Sequence, residues 1–156
     1  MTIFLKSPHL LISCAWLLHA AAWLLPVDRD GVTLAKGLPG WEAFRFASCA
    51  VMPCGAIMFS GFGAVLATIS AVTTLLFIFG SPWVVLRGSP SLRRASAWAA
   101  AIAFIANAHW YVFSWPNGTD LMIGYFLWWL SFLLLTIGLF DLARQHVAGF
   151  KEGQAA

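Results

Sequence analysis

Apolar positions along this chain gather into long unbroken runs rather than alternating stripes. Four runs approach the roughly 20 residues that a helix needs to cross about 30 Å of hydrocarbon. They cover about 10–25, 62–79, 95–113 and 122–140. Each is apolar on every face, the pattern of a helix surrounded by apolar material, so no period-3.6 amphipathicity is needed to predict it. Breakers separate the runs. Pro26 closes the first, and Gly80-Ser81-Pro82 closes the second. Trp115-Pro116-Asn117-Gly118 divides the third from the fourth, and Asn-Gly after Pro is turn chemistry. The link from Arg87 to Arg94 is short and basic.

A fifth apolar stretch, 43–60, has Pro53-Cys54-Gly55 at its middle, where Pro removes a helix hydrogen bond. It reads either as a broken re-entrant or interfacial helix below an outer loop at 26–42, or as a fifth spanning helix that turns at Ser60-Gly61-Phe62-Gly63. Charge divides the two readings. With four spans, Lys6, Arg87, Arg93, Arg94, Arg144 and Lys151 are inside, and Arg29, Lys36 and Arg45 outside. With five, Lys6 alone is misplaced, so the overall count favours five. The first helix usually dominates orientation, and its leading flank carries Lys6 without an acid. The expectation taken forward is one transmembrane domain over 1–156: an all-α integral membrane bundle of four helices plus the broken segment, termini cytoplasmic. Five transmembrane helices is the alternative. A signal cleaved near Ala20-Ala21-Ala22 and a lipoprotein site at Leu11-Ile12-Ser13-Cys14 fit less well than an uncleaved anchor.

Composition strengthens this picture. The chain is 61% hydrophobic and 10% charged, against about 45–50% and about 25% for soluble domains. Nine Trp suit a protein with two membrane interfaces. The net charge of +3 is scattered, without the basic patch that nucleic acid requires. Cys14, Cys49 and Cys54 match no zinc spacing. Buried free thiols are expected, with a Cys49–Cys54 or Cys14–Cys54 bridge as the alternative.

Small residues decide close packing in lipid, where no hydrophobic force acts between helices. Gly63, Ala67 and Ala71 form one stripe; Ser96, Ala100, Ala103 and Asn107 a second; Gly124, Ser131 and Gly138 a third. They predict that helices two, three and four pack tightly on one another. A stripe facing a partner's helix is the sharper reading. His19, Asn107 and His109 lie at similar predicted depth, and intramembrane ionisable residues are functional candidates because they are costly to keep there. A relay for protons or ions is one reading; a neutral His making one hydrogen bond across the bundle is the favoured one. Haem or copper, with Cys14, Met52, Cys54 or Met58 nearby, matches no recognised ligand spacing, so no metal and no cofactor is expected. The sequence has no G-x-S-x-G, no H-E-x-x-H and no Gly-rich phosphate loop, so no enzyme is expected.

Two stretches carry a resemblance. Leu38-Pro39-Gly40-Trp41-Glu42-Ala43 follows the first helix, and Ile123-Gly124-Tyr125-Phe126-Leu127-Trp128-Trp129-Leu130-Ser131 opens the last. They resemble a group of uncharacterised small bacterial inner-membrane proteins with a G-W-E-A-like outer-loop motif and a G-Y-x-L-W-x-x-S-like start to the final helix. The likeness covers the ends of the chain better than its middle. It implies a four-helix topology in a bacterial inner membrane and no established activity. On physical grounds Trp41, Trp128 and Trp129 read as interface anchors. Pro39, Gly40, Trp41 and Glu42 form a turn that is the candidate recognition surface. The functional expectation is a non-enzymatic membrane protein that binds another membrane protein. It could be an immunity protein against a pore-forming toxin or an accessory subunit of a membrane complex. The alternative is a small channel or carrier for protons or metal ions through His19, Asn107 and His109.

Overall fold

The computed structural model describes residues 7–29, 37–50, 61–112 and 120–154. Its helices are α1 (Pro8–Leu24), α2 (Gly40–Ser48), α3 (Gly61–Leu75), α4 (Ser81–Arg87), α5 (Pro90–Asn107) and α6 (Ile123–Gln154). A π-helical turn, Leu76–Gly80, joins α3 to α4 without interruption. Three short strands, β1 (Pro26–Arg29), β2 (Leu38–Pro39) and β3 (Asp120–Leu121), form a small antiparallel sheet in the order β2-β1-β3. The all-α reading therefore holds for the core, with this sheet as an addition at one end.

The helix limits follow local chemistry. Pro8 opens α1 in the first turn, where its missing N–H costs nothing. Leu25, next to Pro26, is extended and ends it. Helix α5 begins at Pro90, earlier than the apolar run, because the Ser89 hydroxyl accepts the Leu92 N–H at 3.3 Å as an N-cap.

Gly80-Ser81-Pro82 does not end the second helix as expected. Pro82 has no N–H and its ring would crowd the Ile78 carbonyl. The wider π turn absorbs this: the Ser81 N–H donates to the Leu76 carbonyl, and the Ser81 hydroxyl to the Phe77 carbonyl at 2.6 Å. The helix then runs on to Arg87. Gly88 follows it with the Val84 carbonyl where a Cβ would stand.

The closest packing joins α1 and α6. Pro8, Ile12, Ala15, His19 and Ala22 make the buried face of α1, at alternating four- and three-residue steps. The stripe on α6 answers it antiparallel. A Cβ on Gly138 would stand 2.7 Å from Ile12 Cγ1, Ser131 bonds His19, and a Cβ on Gly124 would stand 2.6 Å from the Pro26 carbonyl oxygen. The expectation that this stripe binds helices two and three is corrected: its partner is the first helix. The stripe on α3 is also redirected. Ala67 and Ala71 are buried against Ala47 of α2, while Gly63 is exposed and would give a Cβ nothing to touch among the described residues. The α5 stripe packs as predicted, with Ala100, Ala103 and Asn107 buried and Ser96 half-buried. Phe132, Leu135 and Leu139 of α6 meet Ala97, Ala100 and Ala103 of α5 in the main core.

The ends of the helices fall on two sides. Strand pairing sets Pro26 opposite Pro39, and Asp28 opposite both Leu38 and Leu121. Tyr125, just after β3, donates its hydroxyl to the Asn107 carbonyl at 3.0 Å, and Asn107 bonds Ser70. At the far end, Arg93 of α5 donates to the Val85 carbonyl of α4 at 3.1 Å. Helix α3–α4 thus runs away from the sheet, and its start at Gly61 is at the sheet end. The chain leaves that end at Gly40 and resumes there at Gly61; the Pro53-Cys54-Gly55 break lies outside the described residues. Cys14 is a free thiol and Cys49 is half of a disulfide, which corrects the expectation of free thiols at Cys49.

Among the described residues, two helices are long and apolar enough to cross a membrane: Gly61–Arg87, with mean hydropathy 2.2, and Ile123–Gln145, with 1.9. Helix α1 is apolar over 17 residues. Each long helix also presents bare apolar side chains, among them Leu17, Phe79, Ile105 and Ile123.

Candidate functional site

The polar groups inside the bundle converge on one side of the α3–α4 helix. Ser70, Thr73, Thr74 and Ser81 lie along it, all buried but the half-buried Thr73. Three indoles from three separate segments reach this seam. Trp16 Nε1 of α1 donates to Ser81 Oγ at 2.9 Å. Trp110 Nε1, beyond α5, donates to Ser70 Oγ at 2.9 Å. Trp128 Nε1 of α6 donates to Thr74 Oγ1 at 3.2 Å. An indole N–H in hydrocarbon must find an acceptor, and a hydroxyl oxygen offers one: the Ser81 proton serves its own helix at Phe77, and the Ser70 proton goes to Asn107.

Asn107 is the hub of the seam and is fully buried. Its Oδ1 accepts the Ser70 hydroxyl at 2.7 Å. Its Nδ2 donates to Thr73 Oγ1 at 3.0 Å and to the Ala103 carbonyl at 2.9 Å. The carbonyl accepts only, so the amide orientation is fixed by its partners.

His19 occupies a second polar point. It lies in contact with Phe77, ring centroids 4.0 Å apart and nearly parallel, and edge-on to Phe132. Its Nδ1 is 3.0 Å from Ser131 Oγ. Ser131 already donates to the Trp128 carbonyl at 2.6 Å. With that proton on the Trp128 carbonyl, Nδ1 is the donor to Oγ, and Nε2 has no hydrogen-bond partner among the described residues. The single cross-helix hydrogen bond expected of His19 is the one to Ser131.

The three residues expected at one depth are not joined. Among the described residues, no hydrogen bond links His19, Asn107 and His109 to one another. His109 turns back to the Ala106 carbonyl at 2.6 Å and leans on Trp110. No group of three or more His, Cys, Asp or Glu suited to a metal occurs among the described residues.

The outer-loop candidates divide by role. Pro39 belongs to β2, and Gly40 sits where a Cβ would collide with the Ala22 carbonyl, so both are structural. Trp41 is about half exposed, and Glu42 pairs with Arg45 at 3.6 Å on the surface of α2. Trp128 and Trp129, expected as interface anchors, instead turn their N–H groups into the bundle. Trp129 donates to the Phe104 carbonyl at 2.7 Å and stacks on the Phe104 ring at 4.6 Å. Sequence reading missed the whole indole–hydroxyl seam. The spacing of Ser70, Thr74 and Ser81 puts them on one side of a helix, but which indoles reach them shows only in the folded register.

Comparison with known proteins finds no matching family model, no matching curated protein and no matching solved structure. The resemblance at 38–43 and 123–131 therefore stands on those two motifs alone.

Proposed function

We propose that this chain is an integral four-span membrane protein that acts by binding another protein in the same bilayer. The observation that carries the binding reading is the one-sided packing of the α3–α4 helix. Its most apolar stretch is only 28% buried, against 44% for α6. Helix–helix association in lipid draws on van der Waals packing, and a face of large apolar side chains offers it. Leu76, Phe79, Trp83 and Leu86 lie bare on it, at spacings of three and four residues.

The four spans are α1, α3–α4, α5 with its following turn, and α6. Gly40 and Gly61 both lie at the sheet end, which supports four spans over five. The orientation has two supports. Arg87, Arg93, Arg94 and Arg144 gather at the end away from the sheet, as positive-inside sorting requires. The Cys49 disulfide lies at the sheet end, and disulfides persist on the oxidising side of a membrane. The sheet end then faces outward and the arginines face the cytoplasm.

Two forms of partner fit: a pore-forming toxin that an immunity protein would block, or the core of a complex that takes this chain as an accessory subunit. A photo-crosslinking residue at Phe79 or Trp83, irradiated in native membranes, tests the reading. A discrete protein adduct from these positions, and none from buried Ser131, is expected. Adducts with lipid only, from both exposed positions, would sink it. The relay reading has less support, since no hydrogen bond links His19, Asn107 and His109 among the described residues.

A further inference from the structure

The α3–α4 helix stands off α5 along part of its length, leaving a cleft of about 200 Å³. Leu76, Gly80 and Val84 wall one side, Ala99 and Ala103 the other, and Phe132 backs it. Hydroxyls of Thr73, Ser81 and Ser96 also line it, but Thr73 and Ser81 already donate to carbonyls of their own helix and accept from Asn107 and Trp16. The cleft thus presents a nearly apolar wall. An engineered apolar cavity of about 150 Å³ holds benzene, so this one has room for a stretch of hydrocarbon.

Charge marks one end. Arg87 follows Gly80 and Val84 on the same helical stripe, four and three residues apart. Arg93 precedes Ser96, Ala100 and Ala103 on theirs, and its buried guanidinium donates to the carbonyl of Val85, next to the lining residue Val84, at 3.1 Å. Arg87 is exposed and takes part in no ion pair among the described residues. The N-terminus of α5, the positive end of its dipole, opens between them at Pro90. An apolar shaft with two arginines at its foot has the charge pattern of a phospholipid inverted.

We propose that this cleft binds one anionic phospholipid, with an acyl chain between α4 and α5 and its phosphate at Arg87 and Arg93. The proposal rests on membrane residence of the chain. It does not depend on which end faces the cytoplasm or on a protein partner.

Native mass spectrometry of the full chain in detergent, titrated with phosphatidylglycerol or phosphatidylcholine of identical chains, tests it. The wild type retains one phosphatidylglycerol in preference to phosphatidylcholine by about fivefold or more, and Arg87→Gln removes about that factor. Gly80→Leu fills the shaft and abolishes retention of both lipids; a Cβ there meets no atom within 4 Å, so the fold tolerates it. If Gly80→Leu loses helicity by circular dichroism, Ala99→Leu, filling from the opposite wall, decides instead. Equal retention of the two lipids by the wild type, a preference unchanged in Arg87→Gln, or retention unchanged by the filling variant overturns the proposal. So does equal binding of glycerol phosphate without chains, or a dimer that the filling variant disrupts while lipid retention is nil. Release of the chain from native membranes by alkaline carbonate would instead count against membrane residence, a separate readout from lipid choice.

Discussion

Helix α1 and the α3–α4 helix both lie beside the centre of the bundle, and they are held there in different ways. Helix α1 meets α6 through shape. Gly138, Ser131 and Gly124 bring the α6 backbone against Ile12, His19 and Pro26 in an antiparallel row. The α3–α4 helix meets its neighbours through hydrogen bonds, from Trp16, Trp110, Trp128 and Asn107 to its seam of hydroxyls. Where shape is complementary the helices touch along their length; where hydrogen bonds reach across, a cleft remains. The lesson is that one bundle can hold a closely packed pair and a helix tethered by hydrogen bonds, with one face of the tethered helix left bare.

Substitutions break this comparison in order of expected size. Gly124→Val should cost the most, about 3 kcal/mol, because its Cβ meets the Leu25 and Pro26 carbonyls at 2.8 and 2.6 Å and backbone cannot give way. Unfolding of the detergent-solubilised chain in a denaturing detergent would measure it. Asn107→Ala should cost about 2 kcal/mol in the same assay, since it leaves the buried Ser70 hydroxyl without its Oδ1 acceptor and removes the amide that donates to Thr73. A value equal to that of Gly124→Val would contradict the ranking of shape over hydrogen bonds. Trp16→Phe removes one indole tether and keeps the ring, so about 0.6 kcal/mol is expected, the average for an interhelical hydrogen bond in membranes. Gly63→Ala should leave stability unchanged or raise it by up to about 1 kcal/mol, since Gly63 is exposed within a helix and contributes no packing. A loss of stability at Gly63 would restore it to the packing stripe from which the geometry removes it.

Much of the fold is legible in the sequence, and the failures have physical causes. The apolar runs locate the long helices, and the seven-residue repeat of Gly124, Ser131 and Gly138 marks a contact face. Its partner is hidden because the matching face of α1 is made of Pro8, Ile12, Ala15, His19 and Ala22, ordinary residues in an Ala- and Leu-rich run. Pro82 reads as a stop, yet a helix can carry Pro when a π turn and a Ser hydroxyl satisfy the freed carbonyls. Strands of two residues, β2 and β3, are too short to give an alternating pattern. The seam is illegible for a different reason. Each Trp alone suits an interface, and only the folded register of three segments shows that their N–H groups reach Ser70, Thr74 and Ser81. His19 and Asn107 were visible as singular polar residues, but their separate networks depend on that same register.

The central claim of the proposed topology is that the small sheet and the start of α3 share the outer side, with the arginine-rich turn inside. Labelling of single cysteines by a membrane-impermeant maleimide tests it directly, in a Cys14→Ser background with the Cys49 disulfide intact. Lys36→Cys should react in intact cells, while Ser91→Cys, beside Arg93 and Arg94, should react only after permeabilisation. Lys36→Cys that reacts only after permeabilisation would put 26–42 on the cytoplasmic side, require 43–60 to span, and contradict the account.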